Sequence, residues 1–312
     1  MEKSILNQFR LTVSEKELKV HGIAVYRRGK PILTHRWIDD FRQNLWSCTK
    51  GYTGIAIGIC QDEGRLKVTD KILDIFPEYR SVASDKTEQI TIRDILHMAS
   101  GKDFTNERIQ IHEMTEGDCL DYFMRAPVIA DIGKTYYYTN SCSYALSRIV
   151  EKVSGKSLRD FLADRMFSVM GIANVQWDTC NNRHTLGGMG LYLRTEELLK
   201  FGIMLQDGGV WEGKRIVSEE YIKQALTDTV ITKPYMPTSD EEQQTPYGYH
   251  MWTCTREGVY RIDGLYGQMM VVFPQKDVVV ALNSFKQDGN GFHTLRAVYE
   301  MVDLIEPNSA SN

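Results

Sequence analysis

The sequence predicts an α+β protein: an α/β lobe plus an all-α lobe, with a mainly antiparallel sheet built from N- and C-terminal strands and flanked by helices. Three observations carry this expectation. Short β-rich runs cluster at the two ends of the chain. Runs with helical period fill the middle. The end runs are joined by turns too short for crossovers, which favours antiparallel pairing. At roughly 150 residues per domain, 312 residues make about two domains, or one large one. On this pattern residues 1–62 together with 245–312 form a sheet-and-helix lobe. Residues 63–244 form an inserted, mainly helical lobe, with the site between the two.

The elements follow in order. "VHGIAVYRRGKPILTHRW" (Val20–Trp37) sets apolar residues on either side of "RRGK", a hairpin signal. After Ser47, the run "GYTGIAIGIC" is apolar nearly all round, so it predicts a buried helix. Gly51, Gly54 and Gly58 each cost such a helix up to ~1 kcal/mol relative to alanine. Their compensation is close approach of backbone or ligand. "TIRDILHMAS", "NSCSYALSRIVEKVSG", "SLRDFLADRMFSVMG" and "TEELLKFGIMLQDGG" read as helices, several of them ending at glycine. From about Tyr247 the texture changes: "YGYHMWTC", "GVYRIDG", "QMMVVFP" and "DVVVALNSF" read as strands. A last helix, "FHTLRAVYEMVDLI", and a frayed tail, "EPNSASN", follow. The three-proline segment Thr232–Pro246 reads as a long loop returning to the sheet.

Composition excludes several classes. A net charge of −4 gives no electrostatic case for nucleic acid or an anionic membrane. No run approaches the ~20 apolar residues of a membrane span, and the first residues hold no signal-peptide core, so a cytoplasmic protein is expected. The six cysteines show no C-x-x-C pair, which predicts reduced thiols and no zinc site. "HEMTE" (His112–Glu116) lacks the second histidine of a zincin helix and reads as a solvated face. "GGMG" (Gly187–Gly190) is not followed by a dinucleotide-binding pattern and reads as a loop at the rim of the site. No G-x-S-x-G elbow is present.

Chemistry enters at "SCTK". A serine hydroxyl needs a nearby base to act as a nucleophile at neutral pH. Residues three apart on a helix share a face, so Ser47 and Lys50 meet if a helix starts there. Lysine ordinarily titrates at about 10.4, and burial among apolar groups favours its neutral form. The tetrad alone is weak, since a chain of this composition holds about one S-x-x-K by chance. Two further elements sharpen it: Tyr138–Thr139–Asn140 just before a helix, and the glycine-rich strand start "IDGLYGQMMVVFP". Together they offer a base, a proton relay and an oxyanion-binding edge.

With S-x-x-K at Ser47–Lys50, Y-x-N at Tyr138–Asn140, "ITIRDILHMASG" and "GLYGQMMVVFP", nearly the whole chain resembles the serine β-lactamase and penicillin-binding-protein superfamily, class C branch. The patterns G-L-x-L-R and G-x-x-G-Q look closest to its 6-aminohexanoate-dimer hydrolases and lactamase-fold esterases. The resemblance implies a β-lactamase/transpeptidase-like fold and a serine hydrolase acting on a small-molecule ester, amide or lactam. It implies Ser47 as nucleophile, Lys50 and Tyr138 as base and acid, Asn140 as an orienter of Lys50 or the substrate, and the backbone N–H groups of Ser47 and Gln268 as the oxyanion hole. No cofactor and no metal is implied, and the oligomeric state stays open. The family's third motif, usually Lys-Thr-Gly or His-x-Gly, falls on Ile262–Asp263–Gly264. Gly264 keeps room for a substrate, but the basic residue is missing and Asp263 would repel a carboxylate. Asp263 then either receives an amine or neutral substrate or points to solvent on an alternating strand. Two alternatives remain open for the whole chain: a β-lactamase or D-amino-peptide hydrolase, and a non-catalytic ligand-binding relative. Cys48, Tyr136, Tyr137 and His250 read as packing residues.

Overall fold

A computed structural model describes residues 2–104, 119–236, 238–287 and 291–305. The histidine–glutamate motif at 112–116 and the tail from residue 306 lie outside the described residues. The strands are β1 (Val20–Arg27), β2 (Lys30–Arg36), β3 (Gln43–Asn44), β4 (Gln176–Trp177), β5 (Leu191–Leu193), β6 (Val210–Trp211), β7 (Lys214–Arg215), β8 (Trp252–Thr253), β9 (Tyr260–Gly264), β10 (Gln268–Phe273) and β11 (Val278–Ser284). The helices are α1 (Glu2–Glu15), α2 (Thr49–Asp62), α3 (Ile72–Ile75), α4 (Ile92–Leu96), α5 (Cys119–Arg125), α6 (Asn140–Ser154), α7 (Leu158–Leu162), α8 (Thr195–Gln206), α9 (Glu219–Thr227) and α10 (Phe292–Asp303).

The main sheet has the order β2-β1-β11-β10-β9-β8, and every pairing in it is antiparallel. N- and C-terminal strands thus share one sheet, as the sequence predicts. The β1–β2 turn is made by Arg28 (φ 49°) and Gly29 (φ 74°). Two successive left-handed residues match the twist of a tight hairpin. The central strands read as continuous apolar runs because both faces are covered. Side chains alternate between faces. Val271, Val280 and Leu282 pack under α1 and α10 with Phe9, Val13, Leu295 and Val298. Met270, Val272, Val279 and Ala281 face the other core, with Ala56 of α2 and Phe201 of α8. Burying each of the valine, leucine, methionine and phenylalanine side chains among them contributes about 1.5–3 kcal/mol.

Helix α2 is buried from Thr49 to Cys60. A Cβ on Gly51 would lie 2.7 Å from Ile262 of β9, and one on Gly58 would lie 2.4 Å from the Tyr221 ring of α9. The glycines let α2 approach its neighbours at backbone distance, and so fix where its first turn meets β9. Helix α6 begins at Thr139, whose side chain accepts from the Ser141 N–H, and ends at left-handed Gly155. The reading over Ser157–Gly171 splits into α7 and a π-turn at Ala163–Phe167. No helix among the described residues is long and apolar enough to cross a membrane.

One element is new and one expectation needs correction. Helix α1, for which the sequence reading makes no assignment, carries Ile5, Phe9 and Val13 at four-residue spacing against the sheet. In "YGYHMWTC" only Trp252 and Thr253 are strand. His250 adopts φ 60° and breaks the run, because its ring is buried and held by two partners elsewhere in the fold.

Candidate functional site

Ser47 lies on a 3-10 turn, Trp46–Cys48, that runs straight into α2. Trp46 stands at φ 48°, a strained conformation for a bulky residue, with its N–H donating to Asn44 Oδ1 at 2.8 Å and its ring edge-on to Tyr266. Tyr266 is itself left-handed at φ 68°. The turn is pinned further by Leu45 N–H donating to the Leu191 carbonyl at 2.8 Å. The nucleophile candidate is thus held by β3, β5 and the β9–β10 connection at once.

Lys50 sits one turn along and is 1% exposed. Its Nζ lies 3.0 Å from Ser47 Oγ, 2.8 Å from Asn140 Oδ1 and 2.9 Å from the Gly188 carbonyl oxygen. The same nitrogen lies 4.8 Å from the centroid of the Tyr138 ring. Asn140 is the first residue of α6, where the Thr139 cap fixes the backbone. Gly188 belongs to the "GGMG" loop, which is not a rim. A Cβ at Gly188 would stand 2.7 Å from Asn140 Oδ1 and 3.3 Å from Lys50 Nζ, so the loop is the wall behind the amine.

Tyr138 and Ser47 line the same cavity wall, and their side chains are near enough to interact. The Tyr138 ring is stacked on Trp252 (6.2 Å between centroids) and edge-on to Tyr247. The side chain is 36% exposed, on the wall of the cavity, and desolvation raises the phenol above its usual range. Of the neighbouring tyrosines, Tyr136 is buried against Tyr247 and Trp252, while Tyr137 is exposed.

Gly264 ends β9 directly beside the nucleophile turn; a Cβ there would lie 2.3 Å from the Leu45 carbonyl and 3.1 Å from Ser47 N. Gln268 opens β10 opposite Gly264. Its side chain turns inward to Ser284, donating to the Ser284 carbonyl and accepting from the Ser284 N–H. Asp263 does not face bulk solvent. It lines the cavity, and Oδ2 accepts from Arg261 Nε at 2.7 Å. Ser47, Tyr138, Asp263, Gly264 and Gln268 surround one cavity of ≈ 310 Å³, whose other walls include Met236, Trp252, Leu265 and Phe292. That is the small end of ligand-site volumes.

A second layer carried no chemical signal in the sequence. His250 is buried, its Nδ1 2.9 Å from the Leu96 carbonyl and its Nε2 2.9 Å from Ser143 Oγ. A carbonyl only accepts, so Nδ1 carries the proton and Nε2 accepts from the serine hydroxyl. Burial drives the imidazole down to about 3, so the ring is neutral. Ser143 lies one turn after Asn140. His250 therefore ties the start of α6 to the end of α4 and to the segment that supplies Trp252. Cys48 is wholly buried, and burial holds its thiol well above the usual range. Among the described residues no group of three or more His, Cys, Asp or Glu side chains could hold a metal ion.

This fold and this cleft, with a buried lysine against a serine at a helix start, define a hydrolase of the β-lactamase fold. The chain belongs to the β-lactamase family, whose model matches residues 15–302. It is 25% identical over 302 residues to the 6-aminohexanoate-dimer hydrolase of Paenarthrobacter ureafaciens, covering 86% of this chain and 74% of that protein. It is 31% identical over 134 residues to penicillin-binding protein 4 of Amycolatopsis lactamdurans, covering 40% of this chain and 33% of that one. Among solved structures it is similar to the octameric penicillin-binding protein homologue from Pyrococcus abyssi (TM-score 0.75, 19% identity, 97% of this chain and 78% of that one). It is also similar to a family VIII carboxylesterase (TM-score 0.73, 15% identity, 96% and 97%).

Proposed function

We propose that this protein cleaves small ester or amide bonds through an acyl-enzyme on Ser47. The observation that supports this most directly is the Lys50 amine 3.0 Å from Ser47 Oγ, with Tyr138 beside them on the wall of a small cavity. An uncharged Lys50 would donate its two protons to Asn140 and Gly188, leaving its lone pair for the Ser47 hydroxyl proton. As the Ser47 Oγ–carbon bond forms, that proton moves to Nζ, and the resulting ammonium keeps all three acceptors. The backbone N–H groups of Ser47 and Gln268 would bind the oxyanion. Because burial keeps Tyr138 protonated, it serves as the acid that gives a proton to the leaving oxygen or nitrogen, and the proton on Lys50 restores it. Water then attacks the ester, the same groups move its proton back to Oγ, and the free acid departs.

The substrate is a small ester or amide rather than a β-lactam, because Asp263 occupies the position where a basic residue would meet the lactam carboxylate. No disulfide joins the six cysteines, which favours a reducing, cytoplasmic setting. The test is a screen with chromogenic short-chain esters and nitrocefin. Ester turnover that disappears in Ser47→Ala, with nitrocefin slow by comparison, is the expected result. Turnover that survives Ser47→Ala overturns the assignment.

A further inference from the structure

Asp263 is the cavity residue that the proton transfers above do not use. It stands in register with Met269 of β10, one residue before the glycine that abuts the Ser47 turn. Arg261, two residues earlier and so on the same face of β9, is 1% exposed and grips Asp263 Oδ2 through Nε at 2.7 Å. The remaining guanidinium donors point the other way: Nη1 to Glu242 Oε2 at 3.2 Å and to the Thr253 carbonyl at 2.8 Å, Nη2 to the Glu242 carbonyl at 2.7 Å. Glu242 is buried and also accepts from the Tyr299 hydroxyl at 3.0 Å.

One buried guanidinium is therefore shared by two carboxylates. The group carries a net charge of about −1, and its cavity end is Asp263, 23% exposed. Among the described residues no donor reaches Asp263 Oδ1, and no other charged side chain lines the cavity. Most of the wall around it is apolar, with Met236, Trp252, Leu265, Met269, Phe292 and Leu295, and Gln243 adds one neutral amide. Arg261 fixes the carboxylate in place without cancelling it, because Glu242 takes the other half of the guanidinium.

We propose that Asp263 is the specificity-determining residue of this cavity, and that it selects substrates with an apolar body and a protonated amine over those bearing a carboxylate. The inference rests on the cavity beside Ser47 being the substrate site. An ammonium placed at Oδ1 makes a charge-assisted hydrogen bond. A carboxylate in its place meets like charge and loses water without gaining a donor.

The test needs no turnover. The whole protein is titrated with n-butylammonium, n-butanol and butyrate, three probes of nearly one shape, with Trp252 fluorescence or NMR shifts as the readout. At neutral pH and low salt the ammonium should bind roughly tenfold more tightly than the alcohol, and butyrate more weakly than either. Raising the salt should narrow the gap. Asp263→Asn should erase the ammonium-to-alcohol ratio, and Ser47→Ala should keep it. Butyrate binding as well as butylammonium, a ratio unchanged in Asp263→Asn, or no saturable binding by any probe would each overturn the proposal. Since Ser47→Ala retains the preference on this account, a failed hydrolase assignment and a failed specificity assignment give different results.

Discussion

At the scale of single residues, the site depends on who holds Lys50. Its three acceptors come from three places in the chain, Ser47, Asn140 and Gly188. Lys50→Met keeps most of the volume and removes the base, and should slow ester cleavage by about 10²–10⁴-fold with little change in fold. Tyr138→Phe should lower kcat while the ester KM moves less. The pH profile follows from the direction of the Tyr138 shift. Burial raises that phenol, so its acid form persists past its usual value of about 10. With that acid kept in its protonated form, the rate should stay level through the mildly alkaline range. A descending limb below about pH 9, measured as kcat/KM for a neutral ester, would contradict Tyr138 as the acid. The Ser47–Lys50 contact was legible in the sequence because helical period is local and a three-residue spacing defines a shared face. The Gly188 carbonyl was not, because a backbone acceptor carries no side-chain signature and only the tertiary fold brings it behind the amine. Arg261 was missed for a related reason: its role is visible only once Glu242 arrives from the 232–246 loop.

At the scale of elements, α6 and the segment 247–252 share the task of orienting Asn140 and Tyr138. Their coupling runs through His250, which joins Ser143 of α6 to the Leu96 carbonyl of α4. Gly188→Ala tests the fit of the wall against α6. The new Cβ would stand 2.7 Å from Asn140 Oδ1, so either Asn140 or the loop must shift. A displacement of that order should cost about 10²-fold in kcat, while thermal unfolding moves little. Unchanged kcat would mean that Asn140 does not need its present position. The helices of the middle region were readable from period and caps, as at Thr139 and Gly155. Segment 247–251 reads as strand because Tyr247 and Tyr249 alternate as β-formers ahead of Trp252, while the left-handed turn at His250 is imposed by buried partners distant in sequence. Helix α1 carries a short-range signal in Ile5, Phe9 and Val13, which repeat every four residues and pack on the sheet, but three apolar positions among charged neighbours make a weak amphipathic pattern.

At the scale of the whole molecule, one buried charge sets an expected pH dependence of stability. Lys102 is 4% exposed and donates to Ser84 Oγ, Thr87 Oγ1 and the carbonyls of Met124 and Ala126, none of them charged. Burial lowers its ammonium from 10.5 to about 7. Between those values the unfolded chain keeps a proton that the folded chain releases, so stability rises with pH across that window, by up to ~1.4 kcal/mol per unit. Denaturant melts at pH 7, 8 and 9 should show this slope, and Lys102→Met should flatten it. A slope unchanged in the variant would assign the effect elsewhere. The sheet itself was legible from the two ends of the chain, since short turns and apolar runs constrain antiparallel neighbours strongly. The central claim, that Ser47 is the nucleophile activated by Lys50, is tested most directly by intact and peptide mass spectrometry after treatment with a fluorophosphonate. A single adduct on the Ser47 peptide, absent in Ser47→Ala and formed far more slowly in Lys50→Met, is the predicted result. An adduct on another residue, or labelling of Ser47 at the same rate without Lys50, would contradict it.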